Sequence, residues 1–173
     1  TTSVPCRSWV EYGTYPNNLQ RARTFVEGEM VANNTINKIK LENLKPGTKY
    51  YYRTVSQEIT YYRSYHKEFG DTVRSEISSF KTWDPKQKYF TVLVFNDLHK
   101  NLKLLDTLAM QIKDIDYDLV IFNGDCLDDV ENENDIINPV NHYAKRLKGN
   151  QVPSIYMRGN HETRGEYSVL LWN

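Results

Sequence analysis

Three short apolar runs, "YFTVLVF" (89–95), "YDLVIF" (117–122) and "VPSIYMR" (152–158), recur along the second half of the chain. Two stretches of helical periodicity separate them. Leu105, Leu108, Ala109 and Ile112 mark the first, and Ile137, Val140, Ala144 and Leu147 the second, with Pro139 tolerated near its start and Gly149 just past its end. Strand, helix, strand, helix, strand in units of about thirty residues constrains the fold strongly, because such units close by right-handed crossovers into a parallel sheet. "YFTVLVF" carries no polar alternation, as expected of a strand covered on both faces. Each run then ends in polar residues: "NDLH" (96–99), "NGDCLDD" (123–129) and "GNHE" (159–162). Ligands of parallel sheets bind outside the carboxyl ends of the strands, so these three segments are expected to converge.

The first half has another rhythm. "SWVEYG", "INKIKLENL", "YYYRTV" and "ISSFKT" are rich in β-branched and aromatic residues and are separated by turn-like stretches, the pattern of an all-β sandwich. The polar, proline-containing "WDPKQK" (83–88) reads as a linker, giving a β domain at 1–84 and an α/β domain at 88–173. "LKPGTKYYYR" is more specific than periodicity: Leu44, Pro46, Gly47, Thr48 and Tyr50 resemble the loop-to-strand corner of fibronectin type III modules, in which a tyrosine hydroxyl bonds back to the preceding backbone. The resemblance assigns that role to Tyr50. A module of this kind has about seven strands. Fewer can be placed here, so the first strands are expected to be missing and Thr1 not to be a natural start. For that reason the lack of a signal peptide carries no weight.

The chain of 173 residues, 39% apolar and 25% charged, has the composition of a folded globular protein. Its net charge is zero, but residues 85–173 hold ten Lys/Arg against thirteen Asp/Glu, and nine of those acids lie between Asp114 and Asp135. A nucleic-acid partner calls for the opposite sign. The acidic run is either a solvated face or a place that attracts cations. No apolar run is long enough to span a membrane. Cys6 and Cys126 fall in different domains and form no disulfide framework.

Asp97 and His99 stand two apart, so in extended chain they point the same way and can share one ion. Asp125 follows one strand-helix unit later and Asn160 one unit after that. Oxygen and nitrogen donors without thiolate suit manganese, iron, zinc or magnesium. Each motif alone is weak, since a turn residue beside a helix start explains it equally well. In this order, at three successive strand ends, the set resembles the calcineurin-like metallophosphoesterases, whose pattern runs D-x-H, GD, GNH(D/E), a lone His and GHxH. The resemblance covers residues 90–162 and implies the first half of an αββα sandwich.

The resemblance implies that Asp97 and His99 bind a first metal, that Asp125 bridges to a second, and that Asn160 binds the second through its side-chain oxygen. Two cations, manganese, iron or zinc, would stand about 3.5–4 Å apart and clamp a phosphoryl group, a bridging hydroxide attacking phosphorus in a phosphomonoester or phosphodiester. His161 would stabilise the transition state or protonate the leaving group. Asp128 matches the aspartate that some relatives pair with that histidine; as a simple alternative it caps a helix. Glu162 stands behind the ligands, and Arg158 and Arg164 are either substrate contacts or surface charge. Substrate-binding residues are not assigned.

A fibronectin-like domain before this half resembles the purple acid phosphatase arrangement, which in relatives is usually secreted, periplasmic or at the cell surface. Those enzymes carry a metal-bound tyrosine three positions after the bridging aspartate; here Asp128 stands there, so no tyrosinate colour is expected. Asn96 stands where many relatives have glycine. The family also needs further histidines, and none follows His161; His66 lies in the first domain, and His142 falls mid-helix and is expected to be exposed. The rest of the same polypeptide is therefore expected to supply the missing half-site, and the chain as it stands to bind metal weakly and hydrolyse little. A different class of function, a non-catalytic binding protein using the β-sandwich to recognise a partner or polymer, is the alternative. A dinucleotide site is disfavoured because no glycine-rich fingerprint follows the first strand.

Overall fold

The computed structural model describes residues 1–171 and divides into two compact units, Thr1–Lys86 and the chain from Gln87 onward. The first unit is built on an antiparallel sheet. β1 (Cys6–Tyr15), β2 (Asn18–Ala22), β5 (Lys49–Tyr62) and β6 (Lys67–Arg74) lie in the order β2-β1-β5-β6, while β7 (Ser78–Lys81) also pairs with β5. β3 (Phe25–Val26) and β4 (Glu29–Met30) form a separate two-stranded ribbon. β5 carries the unit because it is long enough to take β1 over Tyr51–Glu58, β7 over Lys49–Tyr52 and β6 from Val55 onward.

The period of two decides the faces of β1. Cys6, Ser8, Val10 and Tyr12 are buried, and Val10 and Tyr12 pack with Tyr50 against Ile39, Leu41, Leu44 and Phe80. Trp9 on the other face lies under the Arg21 and Arg23 guanidinium groups, 4.6 and 5.3 Å from the ring centre. The corner expected at Tyr50 is present: its hydroxyl accepts the Lys45 amide at 3.0 Å. Gly47 sits in that corner with φ +61°, and its amide donates to the Trp83 carbonyl. One expected strand is absent. "INKIKLENL" runs as coil, because it finds no ladder partner; its alternation serves only to drop Ile39 and Leu41 onto the core.

In the second unit β8 (Val92–Phe95), β9 (Leu119–Asn123) and β10 (Ser154–Met157) are parallel, in the order β10-β9-β8. The helices α1 (Leu102–Gln111) and α2 (Asn134–Arg146) are the crossovers. Asn101 caps α1, its side chain accepting the Leu104 amide. The helix-side core joins Phe95, Val120, Phe122, Leu105, Tyr143 and Leu147, with Phe122 stacked between Tyr143 and Tyr156. The buried stripe of α2 is Ile136, Pro139, Tyr143 and Leu147. It differs from the expected Ile137, Val140, Ala144 and Leu147 because a buried tyrosine, rather than the aliphatic residues, sets the inward face. His142 is also not the exposed residue expected: its Nε2 meets Asp106 of α1 at 2.7 Å, with Arg146 on the same carboxylate. The opposite sheet face keeps Val92, Val94, Ile155 and Met157 between 37% and 53% exposed, so these strands are covered on one side only among the described residues. A 3-10 turn, Ser168–Leu171, closes the described chain. No described helix is long and apolar enough to cross a membrane.

Candidate metal centre

The ends of β8, β9 and β10 meet through their backbones. Amides of Asp97, His99 and Lys100 donate to the carbonyls of Gly124, Asp125 and Cys126 at 3.3, 3.0 and 3.1 Å. This ladder continues after regular strand geometry has stopped, and it holds unusual backbone angles: Asp97, His99, Lys100 and Asp125 have φ of 51°, 47°, 54° and 51°. Left-handed conformations are uncommon outside glycine, and Asp and His are among the residues that tolerate them. Such strain persists only where surroundings over-determine it, and it gathers at functional sites.

β9 and β10 approach still more closely. A Cβ on Gly124 would lie 2.9 Å from the Gly159 Cα, and one on Gly159 would overlap both Asp125 Oδ1 and the Asp125 amide nitrogen. Both positions therefore require glycine, which explains the G in "NGD" and "GNH". Asp125 is thereby pressed against the β10 loop: its Oδ1 accepts the His161 amide at 2.9 Å, and its Oδ2 faces the Asn160 side-chain amide at 2.9 Å. With nitrogen toward Asp125, the Asn160 oxygen accepts from Arg164 Nη2 at 2.9 Å. Turned over, the amide would set two oxygens face to face, an arrangement that a cation between them satisfies.

His99 Nδ1 is 3.0 Å from Asp128 Oδ1, which leaves Nε2 directed to Asp97 Oδ1 at 3.9 Å. That is how a ligating histidine is oriented: one ring nitrogen is held by a carboxylate and the other is free for the metal. The His161 ring meets the His99 ring edge-on at 4.6 Å between centres, and its Nδ1 is 3.5 Å from Asp129. Potential donor atoms of His99, Asp128 and His161 lie within 4.8 Å of one another. Asp128 therefore neighbours both histidines but hydrogen-bonds His99, where the resemblance paired it with His161. It does not cap α2, whose first turn begins after Glu133.

All six residues singled out from the sequence, Asp97, His99, Asp125, Asp128, Asn160 and His161, thus lie at one end of one sheet. Three others contribute that sequence reasoning passed over or left undefined. Tyr143, on α2, donates to the Cys126 carbonyl at 2.6 Å. Asp129 stands between His161 and Arg164. Glu162, 3% exposed, accepts four backbone amides. Asp129 gave no signal beyond its place after Asp128, and Tyr143 could have been found as the aromatic member of the α2 stripe. Cys126, 2% exposed, belongs to the hydrophobic core under these loops, and burial, assisted by the charges of Glu162, Asp97 and Asp125, pushes its thiol up to about 12.

Residues 90–173 match the family model described as calcineurin-like phosphoesterase. The second unit is similar to that family, which uses divalent metal ions and hydrolyses phosphoesters. A search of the curated proteins found no match.

Proposed function

We propose that the second unit carries the metal-binding half of a phosphoesterase site acting on a phosphomonoester or phosphodiester. The observation that supports it most is the juxtaposition of Asp97 and His99, Asp125, and Asn160 at three adjacent strand ends, with Asp128 fixing His99 so that Nε2 faces Asp97. The donor set fits the metal: imidazole, carboxylate and amide oxygen suit manganese, iron or zinc. Asp97 and His99 would hold one cation and Asn160 a second, with Asp125 between them. When bound, such cations polarise a phosphoryl oxygen and lower the pKa of water. The chain's own residues do the rest. Asp128 keeps the His99 proton on Nδ1, His161 holds a proton for the leaving oxygen, and Arg164 offers its guanidinium beside Asn160 to a phosphoryl oxygen.

The reading extends to a purple-acid-phosphatase-like arrangement in which the first unit is a fibronectin type III-like module. The Tyr50–Lys45 corner and the antiparallel order of the first sheet support this. A secreted, periplasmic or cell-surface setting goes with that arrangement as part of the proposal. Val92, Val94, Ile155 and Met157 form an apolar face of the kind that parallel strands normally bury.

Calorimetric titration with Mn²⁺, comparing the chain with Asp125→Asn, tests the site, and p-nitrophenyl phosphate and its diester report turnover. The expected result is measurable binding that weakens at least tenfold in the variant. Equal binding by both proteins, or none by either, overturns the proposal.

A further inference from the structure

Glu162 is a carboxylate buried where no cation is within salt-bridge reach among the described residues. Its Oε2 accepts the amides of Asp125 and Gly159, each at 2.9 Å, and its Oε1 those of Cys126 and Leu127 at 2.7 and 2.9 Å. Three of these donors are consecutive. Successive amides that turn inward form a concavity suited to an anion, and Asp125 at φ 51° supplies the left-handed residue that such a concavity uses. The chain fills its own anion nest with its own side chain.

We infer that Glu162 is a positioning residue: by gathering the amides of Asp125, Cys126, Leu127 and Gly159 it locks the β9 and β10 loops together and so fixes the Asp125 carboxylate opposite Asn160. This rests on the proposed metal site. The geometry explains why the side chain must be an acid of this length. Both oxygens are used twice, and a carboxylate alone offers two acceptor atoms with enough lone pairs for four donors. Glutamine would turn an N–H₂ group toward two amides, opposing donor with donor. Aspartate is one methylene too short to reach both loops. The amides point inward as the Asp125 side chain points outward, so releasing them frees the rotation that sets Oδ1 on the His161 amide and Oδ2 toward Asn160.

Glu162→Gln and Glu162→Asp, with Leu105→Ala as a control that destabilises the same unit from its helix-side core, separate positioning from bulk stability. Mn²⁺ titration should show about a 10- to 100-fold loss of affinity in the Glu162 variants, the usual cost of removing an outer partner of a metal ligand. Leu105→Ala, while folded, should bind as the parent does. If the Glu162 variants bind like the parent, or lose no more than Leu105→Ala, the inference is overturned. Amide hydrogen exchange on the unsubstituted chain gives a readout that depends on neither metal nor variant folding. Asp125, Cys126, Leu127 and Gly159 should be protected together, to the level of the β9 amides, although none of the four lies within a strand or helix. Exchange of these four at the rate of exposed loops would also overturn it. Failure of the parent to bind metal with the four amides protected would refute the phosphoesterase reading and leave the clamp standing.

Discussion

Replacing Tyr143 by phenylalanine removes one oxygen and nothing else of size. The ring stays in its stack with Phe122, 5.1 Å between centres, and its side chain is fully buried, so no packing term changes. What is lost is the 2.6 Å bond from the hydroxyl to the Cys126 carbonyl. Two magnitudes compete. A buried acceptor left with no partner costs about 1–3 kcal/mol, whereas a bond lost from a group that keeps another costs about 0.5–1.5 kcal/mol. The Cys126 carbonyl keeps the Lys100 amide at 3.1 Å, so the smaller figure applies. About 1 kcal/mol corresponds to a fall of about 4–8 °C in melting temperature for a unit of this size. Both described α-helices lie in the second unit, so circular dichroism at the helical band follows the relevant transition. Urea unfolding of the two proteins, read at that band, should differ by about 1 kcal/mol with an unchanged slope. No measurable difference would show that the hydroxyl is dispensable. A loss near that of a ring deletion, about 3–5 kcal/mol, would show that it organises the whole loop.

Gly159→Ala should be worse than a typical loop substitution, because one of the three clashes with Asp125, that with its amide nitrogen, is with backbone and no rotamer relieves it. A cost of about 1–3 kcal/mol in urea unfolding is expected, together with weakened Mn²⁺ binding; unchanged stability would refute the close approach. Cys126 makes a prediction in alkali. Its thiol is raised from 9.0 to about 12 chiefly by burial, so the folded state holds a proton that the unfolded state gives up. The contribution is whole below pH 9 and drains away as pH rises toward 12, at up to about 1.4 kcal/mol per pH unit. Unfolding measured from pH 8 to 11 should therefore fall more steeply for the parent than for Cys126→Ala, and parallel curves would contradict this.

The parts of this molecule that sequence revealed are those in which one residue's requirement repeats along the chain. Parallel strands buried in apolar runs, helices with a period near four and polar strand ends are local signals, and β8, α1, β9, α2 and β10 follow from them. Tyr50 was legible because its bond to Lys45 spans only five residues, inside one corner. "INKIKLENL" misled for the complementary reason: alternation reports which side chains turn inward, while a strand also needs a neighbour's backbone, and no residue announces its neighbour. The α2 stripe was displaced because Tyr143 answers to a carbonyl on another loop.

The same distinction separates the proposed ligands from the groups that aim them. Asp97, His99, Asp125 and Asn160 advertise themselves by type and position, but their geometry is set by relations across 29 to 37 residues: Asp128 on His99, and Glu162 on the Asp125 loop. Both relations depend on left-handed backbone at His99 and Asp125 and on the close approach that Gly124 and Gly159 allow. A carboxylate such as Glu162 is ambiguous in sequence because its partners are amides, and every residue but proline has one. Only the fold selects which four it takes. The site is consequently more fragile to changes in its supports than its motif suggests: a substitution that leaves every proposed ligand in place, as at Gly159 or Glu162, should disorder the centre as effectively as removing one of them.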